Sequence, residues 1–225
     1  MSEDAAADVQ AAARAVLETA DPAAKCAAAR HAYALWTEGR LAPPTAGAPS
    51  CAPERPARPD RPELRPPGQV PRRRLGSLAG RVALLHAVAH IEFNAVDLAF
   101  DLVARFGGDP SVGEEARAAF IGDWLKVGDD EARHFMLVAG RLEALGAAYG
   151  DLPAHDGLWD AALASAHDLA ARLASALATG LTAVAVARVA WRPRWPSGWR
   201  SPEFPARVCG PSSYWCWQSS SCHRC

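Results

Sequence analysis

Acidic residues almost run out before the chain does. Of its 25 aspartates and glutamates, only Glu203 follows Asp168, so a helix in the last quarter has no carboxylate to place in a bundle core. Long β-branched runs are also missing, while alanine, leucine and arginine dominate the middle. That excludes a sheet protein and predicts an all-α domain. A net charge of -1 leaves no basic excess for nucleic acid or an anionic membrane surface. The longest uncharged apolar run, residues 173–187, has 15 residues rich in alanine and threonine, too short for a membrane span and expected as a buried helix. The first ten residues, MSEDAAADVQ, lack the basic stretch and apolar core of a secretory leader, so a cytoplasmic location is expected. Cysteine is sparse before residue 200: Cys26 and Cys51 lie in separate segments and are expected as free thiols in a reducing compartment. At 225 residues the chain suffices for one domain with a real core.

Four stretches differ in character. Residues 1–41 carry helical apolar spacing broken at Asp21-Pro22, where an aspartate cap and a proline in the first turn predict two short helices forming a satellite extension. Residues 42–76 follow, and between 42 and 74 they hold ten of the eighteen prolines. This excludes a helix and leaves an extended segment, either a solvated linker or a strap across the bundle. The PRRR at 71–74 is too short to signify. Residues 77–190 hold the bundle, with helices expected at about 77–105 and 113–146, and a third beginning at HDGLWDAALASAHDLAARLASALATGL after the break at Asp151-Leu152-Pro153. Residues 191–225 form an irregular tail with neither helical nor strand periodicity.

The chemistry centres on DDEARHF, residues 129–135. Glu131 and His134 are three apart and share one helix face, as a Glu-x-x-His half-site requires. Steps of three and four from Glu131 reach Phe120, Trp124, Val127, Phe135, Val138, Leu142 and Leu145. An ionised carboxylate in that apolar stripe needs a cation, a proton or a metal. Glu92 repeats the pattern upstream, on a face with Leu85, Val88, Ala89, Ala95, Val96, Ala99 and Val103. From Glu92 to Arg105 is ~20 Å of helix and from Glu114 to Glu131 ~26 Å, so a hairpin turning at FGGDP brings the two carboxylates to similar heights. Two outcomes stay open: a metal half-site, or a buried carboxylate pair sharing a proton.

Other residues carry less. His86 and His90 share a polar stripe with Asn94, Asp97 and Asp101, expected to be a polar seam or a solvent face rather than a ligand set. His167 and Asp168 diverge around their helix, which suits surface or interhelical bonding better than catalysis. Phe120, Trp124 and Phe135 read as core. In the tail, Cys209, Cys216, Cys222, His223 and Cys225 are zinc-type ligands without a second well-spaced pair.

With these pieces in hand, the span from about residue 11 to about 174 resembles a ferritin-like family catalogued as a domain of unknown function (DUF455 type). The matching segments are ADPAAK, RPARPDRPELRPP with VPRRRLGS, HAVAHIEFNAVDLAFDLVARF, DDEARHF and LGAAYGDLPAHDGLW. The resemblance implies a ferritin-like antiparallel four-helix bundle with a carboxylate-bridged pair of iron or manganese ions. It makes Glu92 the first-helix ligand and Glu131 with His134 the second-helix ligands. Relatives of this kind use oxygen on a small-molecule substrate, so the implied function is a di-iron oxidoreductase scaffold. Here it is incomplete at the C-terminal end, because no third-helix glutamate and no second Glu-x-x-His is present; activity in this chain is therefore not expected.

The alternative is a non-catalytic helical bundle with a structural or interaction role, and a homodimer completing the site is a third possibility. Beyond Asp168 the tail gathers five of the eight tryptophans and four of the six cysteines, the composition of an out-of-frame translation beginning between about 174 and 190. Translating the coding DNA in its other frames decides this: absence of a glutamate-bearing helix and a second Glu-x-x-His from every frame would refute it.

Overall fold

Aspartate and serine caps set where the helices begin. The structure, a computed structural model, describes residues 7–70 and 76–176. Helix α1 spans Val9–Leu17, and its cap Asp8 accepts the Gln10 N–H at 2.9 Å. Helix α2, Pro22–Thr37, starts at Asp21, which accepts the Ala24 N–H at 2.7 Å with proline in the first turn. Both caps satisfy amide donors that the first helical turn leaves unpaired. Helix α3, Leu78–Phe106, begins at Ser77, whose hydroxyl accepts from Gly80 N. Helix α4, Glu114–Glu143, carries Glu114 and Glu115 in its first turn, where they favour the positive end of the helix dipole. Helix α5 spans Gly157–Ala164. Strand structure among the described residues is limited to a parallel pair, β1 Ala7–Asp8 with β2 Leu41–Ala42, in register Ala7 to Leu41, and a single bridge between Leu64 and Ala154. The class is all-α.

The long hairpin of α3 and α4 is the centre of the packing, with α1 lying on α3 and α2 on α4. Its turn is locked by Arg117, 2% exposed, whose guanidinium donates to the carbonyls of Gly107 at 2.6 Å and Val112 at 2.8 Å. The N-terminal helices are not a satellite. Val9, Ala13, Val16 and Leu17 of α1 and Cys26 and Ala29 of α2 belong to one continuous core with Phe93, Phe100, Leu125 and Phe135. The reason is that α1 packs on α3 and α2 on α4, so their apolar faces complete the core of the hairpin.

Residues 42–70 run across this assembly as a fastened segment. Cys51 N donates to Ala104 O at 3.2 Å, Ala57 N to Leu17 O at 2.8 Å, and Arg65 N to Ala154 O at 2.8 Å. Proline removes donors at ten places between 42 and 74; of the remaining amides, those of Gly47, Cys51, Ala57 and Arg65 bond outward, while those of Ala48, Gln69 and Val70 close local turns.

Of the two readings of the α3 stripe of His86, His90, Asn94, Asp97 and Asp101, the polar seam holds and the solvent face does not; every member is at most 6% exposed. The loop after α4 covers the two histidines, and Arg58 of the strap reaches Asn94 and Asp97. Asp97 is fully buried between Lys25 Nζ at 2.5 Å and Arg58 Nη1 at 2.8 Å, while Asp101 is held by Arg105 at 2.8 Å and Arg172 at 2.9 Å. Burial pushes the Asp97 carboxyl up and the Lys25 ammonium down, each against the pull of its partner. By length and composition α3 is apolar enough to cross a membrane; its ion-paired aspartates and its packing on α1 and α4 account for that apolarity as a core helix. The third bundle helix, expected to run unbroken, ends at Ala164 and resumes over residues 169–176. Ser165 turns its hydroxyl back onto the carbonyls of Ala161 and Ala162, and Asp168 caps the new start by accepting from Ala171 N at 2.8 Å. Residues 177–190, the 71–74 PRRR and the whole tail with its cysteines and His223 lie outside the described residues.

Gly128 marks the closest approach within the hairpin, since a Cβ there would collide with the ring of Phe100. Gly128→Ala is expected to destabilise by about 1–3 kcal/mol through overpacking, while Gly140→Ala, with nothing near its Cβ position, gains up to about 1 kcal/mol of helix propensity. Urea unfolding of the two variants measures both, and equal effects would contradict the packing described.

Candidate metal centre

Glu92 lies near the middle of α3, and α4 returns antiparallel to set Glu131 and His134 beside it. His134 Nδ1 is 3.0 Å from Glu131 Oε2 and 3.7 Å from Glu92 Oε2. One donor atom from each of the three residues falls within 4.8 Å of the others. An ion with bonds of about 2.0–2.2 Å bridges donors up to about 4.4 Å apart, so rotation of one side chain by a few tenths of an ångström closes the set. All three residues singled out by spacing are thus brought together.

Neighbouring acids show why Glu92 and Glu131 stand apart. In DDEARHF, Asp129 pairs with Arg133 at 2.9 Å and with Arg30 of α2 at 3.6 Å, and Asp130 pairs with Lys126 at 2.6 Å and with Arg133. Neither Glu92 nor Glu131 has a lysine or arginine within ion-pair distance among the described residues. Their side chains are 15% and 23% exposed, against 55% for His134. The cluster is therefore lined by helix on one side and open on the other.

Without a metal these groups settle their charge through protons. Burial, joined by the neighbouring Glu92, pushes Glu131 up to about 7. Burial would also raise Glu92, but hydrogen bonds from His134 and Glu131 outweigh it and hold Glu92 below the usual carboxylate range. Hydrogen bonds to Glu131 and Glu92 push His134 up to about 10. The three titrate as a unit, with an imidazolium bridging two carboxylates that share a proton.

A clamp of aromatic rings supports the site. Phe93 and Phe135, the residues after Glu92 and His134, pack with ring centres 5.3 Å apart, and Tyr149 closes on them at 5.7 Å and 5.1 Å. Tyr149 is fixed in turn by His90, whose Nδ1 lies 2.9 Å from the phenol oxygen and whose Nε2 donates to His155 O at 3.1 Å. Burial takes His90 down to about 4, so it is neutral and both ring nitrogens are engaged. His86 Nε2 accepts from Gly150 N at 2.9 Å. These histidines hold the loop after α4 and do not face the carboxylate cluster.

The remaining candidates are structural. His167 is exposed and Asp168 is a helix cap. Phe135 is core, with Phe120 and Trp124 packed against it in part. Cys26 is buried and its thiol is pushed up to about 12 by burial; Cys51 is half-buried and donates toward Gln10 O, and both are free. Missed by spacing were Lys25, Arg58, Arg105 and Arg172, the partners of the buried α3 aspartates. The available signals were the i,i+4 spacing of Asp101 and Arg105 and a run of strap arginines at 55, 58, 61 and 65 alongside the acidic stripe.

The family described as "Protein of unknown function (DUF455)" matches residues 18–179, most of the chain, and the chain belongs to it. An uncharacterized protein of Haemophilus influenzae is 46% identical over 116 residues, which cover 52% of this chain and 40% of that protein. This chain thus aligns with less than half of its relative's length. No solved structure matches.

Proposed function

We propose that this member of the DUF455 family is a ferritin-like metal-binding protein of the carboxylate-bridged, di-iron type: an oxidoreductase scaffold for iron or manganese whose ligand set is only half supplied by the described residues. The observation that carries it is the pairing of Glu92 with Glu131, two largely buried carboxylates with His134 across them and no lysine or arginine among the described residues to neutralise them. Two carboxylates and an imidazole suit iron and manganese, and Glu-x-x-His on one helix facing a glutamate on the next is half of a dinuclear carboxylate arrangement. When bound in full, such a metal pair supplies oxygen-dependent oxidation of a small-molecule substrate. The protein's part is to hold Glu92 and Glu131 at one height through the hairpin, to fix α3 and α4 through the Phe93, Phe135 and Tyr149 clamp, and to keep both carboxylates partly out of water.

A second reading, a non-catalytic bundle with a structural or interaction role, is favoured by one observation: His134 already bridges the two carboxylates without a metal. Metal binding distinguishes them. The purified chain is expected to bind Mn²⁺ or Fe²⁺, and Glu131→Ala or His134→Ala to weaken binding at least about tenfold, the scale of losing a metal-site group. A cation must displace protons from His134 and Glu131, so affinity rises with pH from 6 to 8 and proton release accompanies uptake. Calorimetric titration in buffers of different ionisation enthalpy measures both. No uptake, or uptake indifferent to Glu131 and His134, supports the structural reading instead.

A further inference from the structure

We propose that the site is completed in trans: two copies of this chain pair across the open side of the α3–α4 hairpin, each supplying Glu92, Glu131 and His134 to one dinuclear centre. The inference rests on the metal-binding reading above and adds the identity of the missing half.

A dinuclear carboxylate site in a helical bundle takes one glutamate from each of two helices and a Glu-x-x-His from each of the other two. The described hairpin holds one glutamate, Glu92, and one Glu-x-x-His, Glu131 with His134. A two-fold axis through the cluster doubles this to the full set, since an isologous interface presents the same residues from both sides. Residues 169–225 do not offer that second half. They contain one acidic residue, Glu203, and one histidine, His223, whereas two glutamates and a histidine in Glu-x-x-His spacing are required.

Surface chemistry agrees. The ligands sit at the open edge of the hairpin, with His134 55% exposed, and apolar side chains flank them along α4. Val127, one turn before Glu131, is 36% exposed, and Leu137, three residues after His134, is 73% exposed. On α3, Val88, Ile91 and Ala95 beside Glu92 are only half-buried. The facing helices of such a bundle would lie against this strip. Charge makes the pairing conditional. Four carboxylates brought together repel, but two divalent cations cancel them, so cation binding and association are one coupled event.

The test uses the full chain with Mn²⁺ as probe. Sedimentation velocity is expected to show a monomer in chelator and a dimer with Mn²⁺, association tightening at least about tenfold, with two ions per dimer. Two ions about 3.5–4 Å apart give a spin-coupled electron paramagnetic resonance signal in place of the six lines of isolated Mn²⁺. Leu137→Asp, a substitution on an exposed side chain that leaves all ligands in place, is expected to reduce both dimer formation and Mn²⁺ affinity about tenfold, with unchanged helical circular dichroism. A monomer that binds Mn²⁺ with an uncoupled six-line spectrum overturns the pairing and leaves the metal reading standing. Dimers that form equally in chelator and bind uncoupled Mn²⁺ also overturn it. Absence of Mn²⁺ binding overturns both.

Discussion

Two carboxylates held side by side where water is scarce set the terms for the rest of this structure. Glu92 and Glu131 arrive from opposite strands of a helical hairpin, each in an apolar stripe, and no guanidinium or ammonium among the described residues reaches either of them. Charges so placed need a countercharge or a proton. Among the described residues the fold provides an imidazole three residues along α4 and no other countercharge, and that deficit is the property a divalent cation would fill. Every other acid of the DDEARHF motif has a cationic partner, so the deficit is local to the cluster.

Holding the pair in register is the work of the opposite face. Lys25 from α2 and Arg58 from the proline-rich segment converge on the fully buried Asp97, and Arg105 and Arg172 converge on Asp101 one turn later. A buried ion pair contributes little net stability but is costly to break or misplace, so this seam favours one placement of α3 against α2 and the strap. The strap adds backbone bonds to α1, α3 and the loop before α5. With α3 fixed from behind, and α4 locked to it by Arg117 and the Tyr149 clamp, the two glutamates meet at the free edge.

Sequence spacing made the site legible and left its support hidden. Glu131 and His134 lie on one helical turn, and hairpin length alone puts Glu92 at their height, so local geometry was enough to assemble the cluster. The polar stripe of α3 was visible too, but periodicity shows which residues share a face, not what covers it. Apart from Arg105, its ion-pair partners lie far along the chain: Lys25 is 72 residues from Asp97. The proline-rich segment offered linker and strap equally, because proline spacing excludes helix without saying what the free amides bond to. The third helix misled for a different reason. Ser165 and Asp168 satisfy backbone groups locally, as such short polar side chains do, and this outweighed the apolar pattern that otherwise runs through the break.

Chemical unfolding with and without saturating Mn²⁺, comparing wild type with the double substitution Glu92→Leu and Glu131→Leu, tests most directly whether the carboxylates are placed for a cation. The wild type should gain roughly 2.7 kcal/mol at a hundredfold excess over its dissociation constant. The double variant should be more stable than the metal-free wild type and indifferent to Mn²⁺. A wild type that Mn²⁺ leaves unchanged, together with a double variant less stable than it, would show that the pair is part of the scaffold and contradict the account.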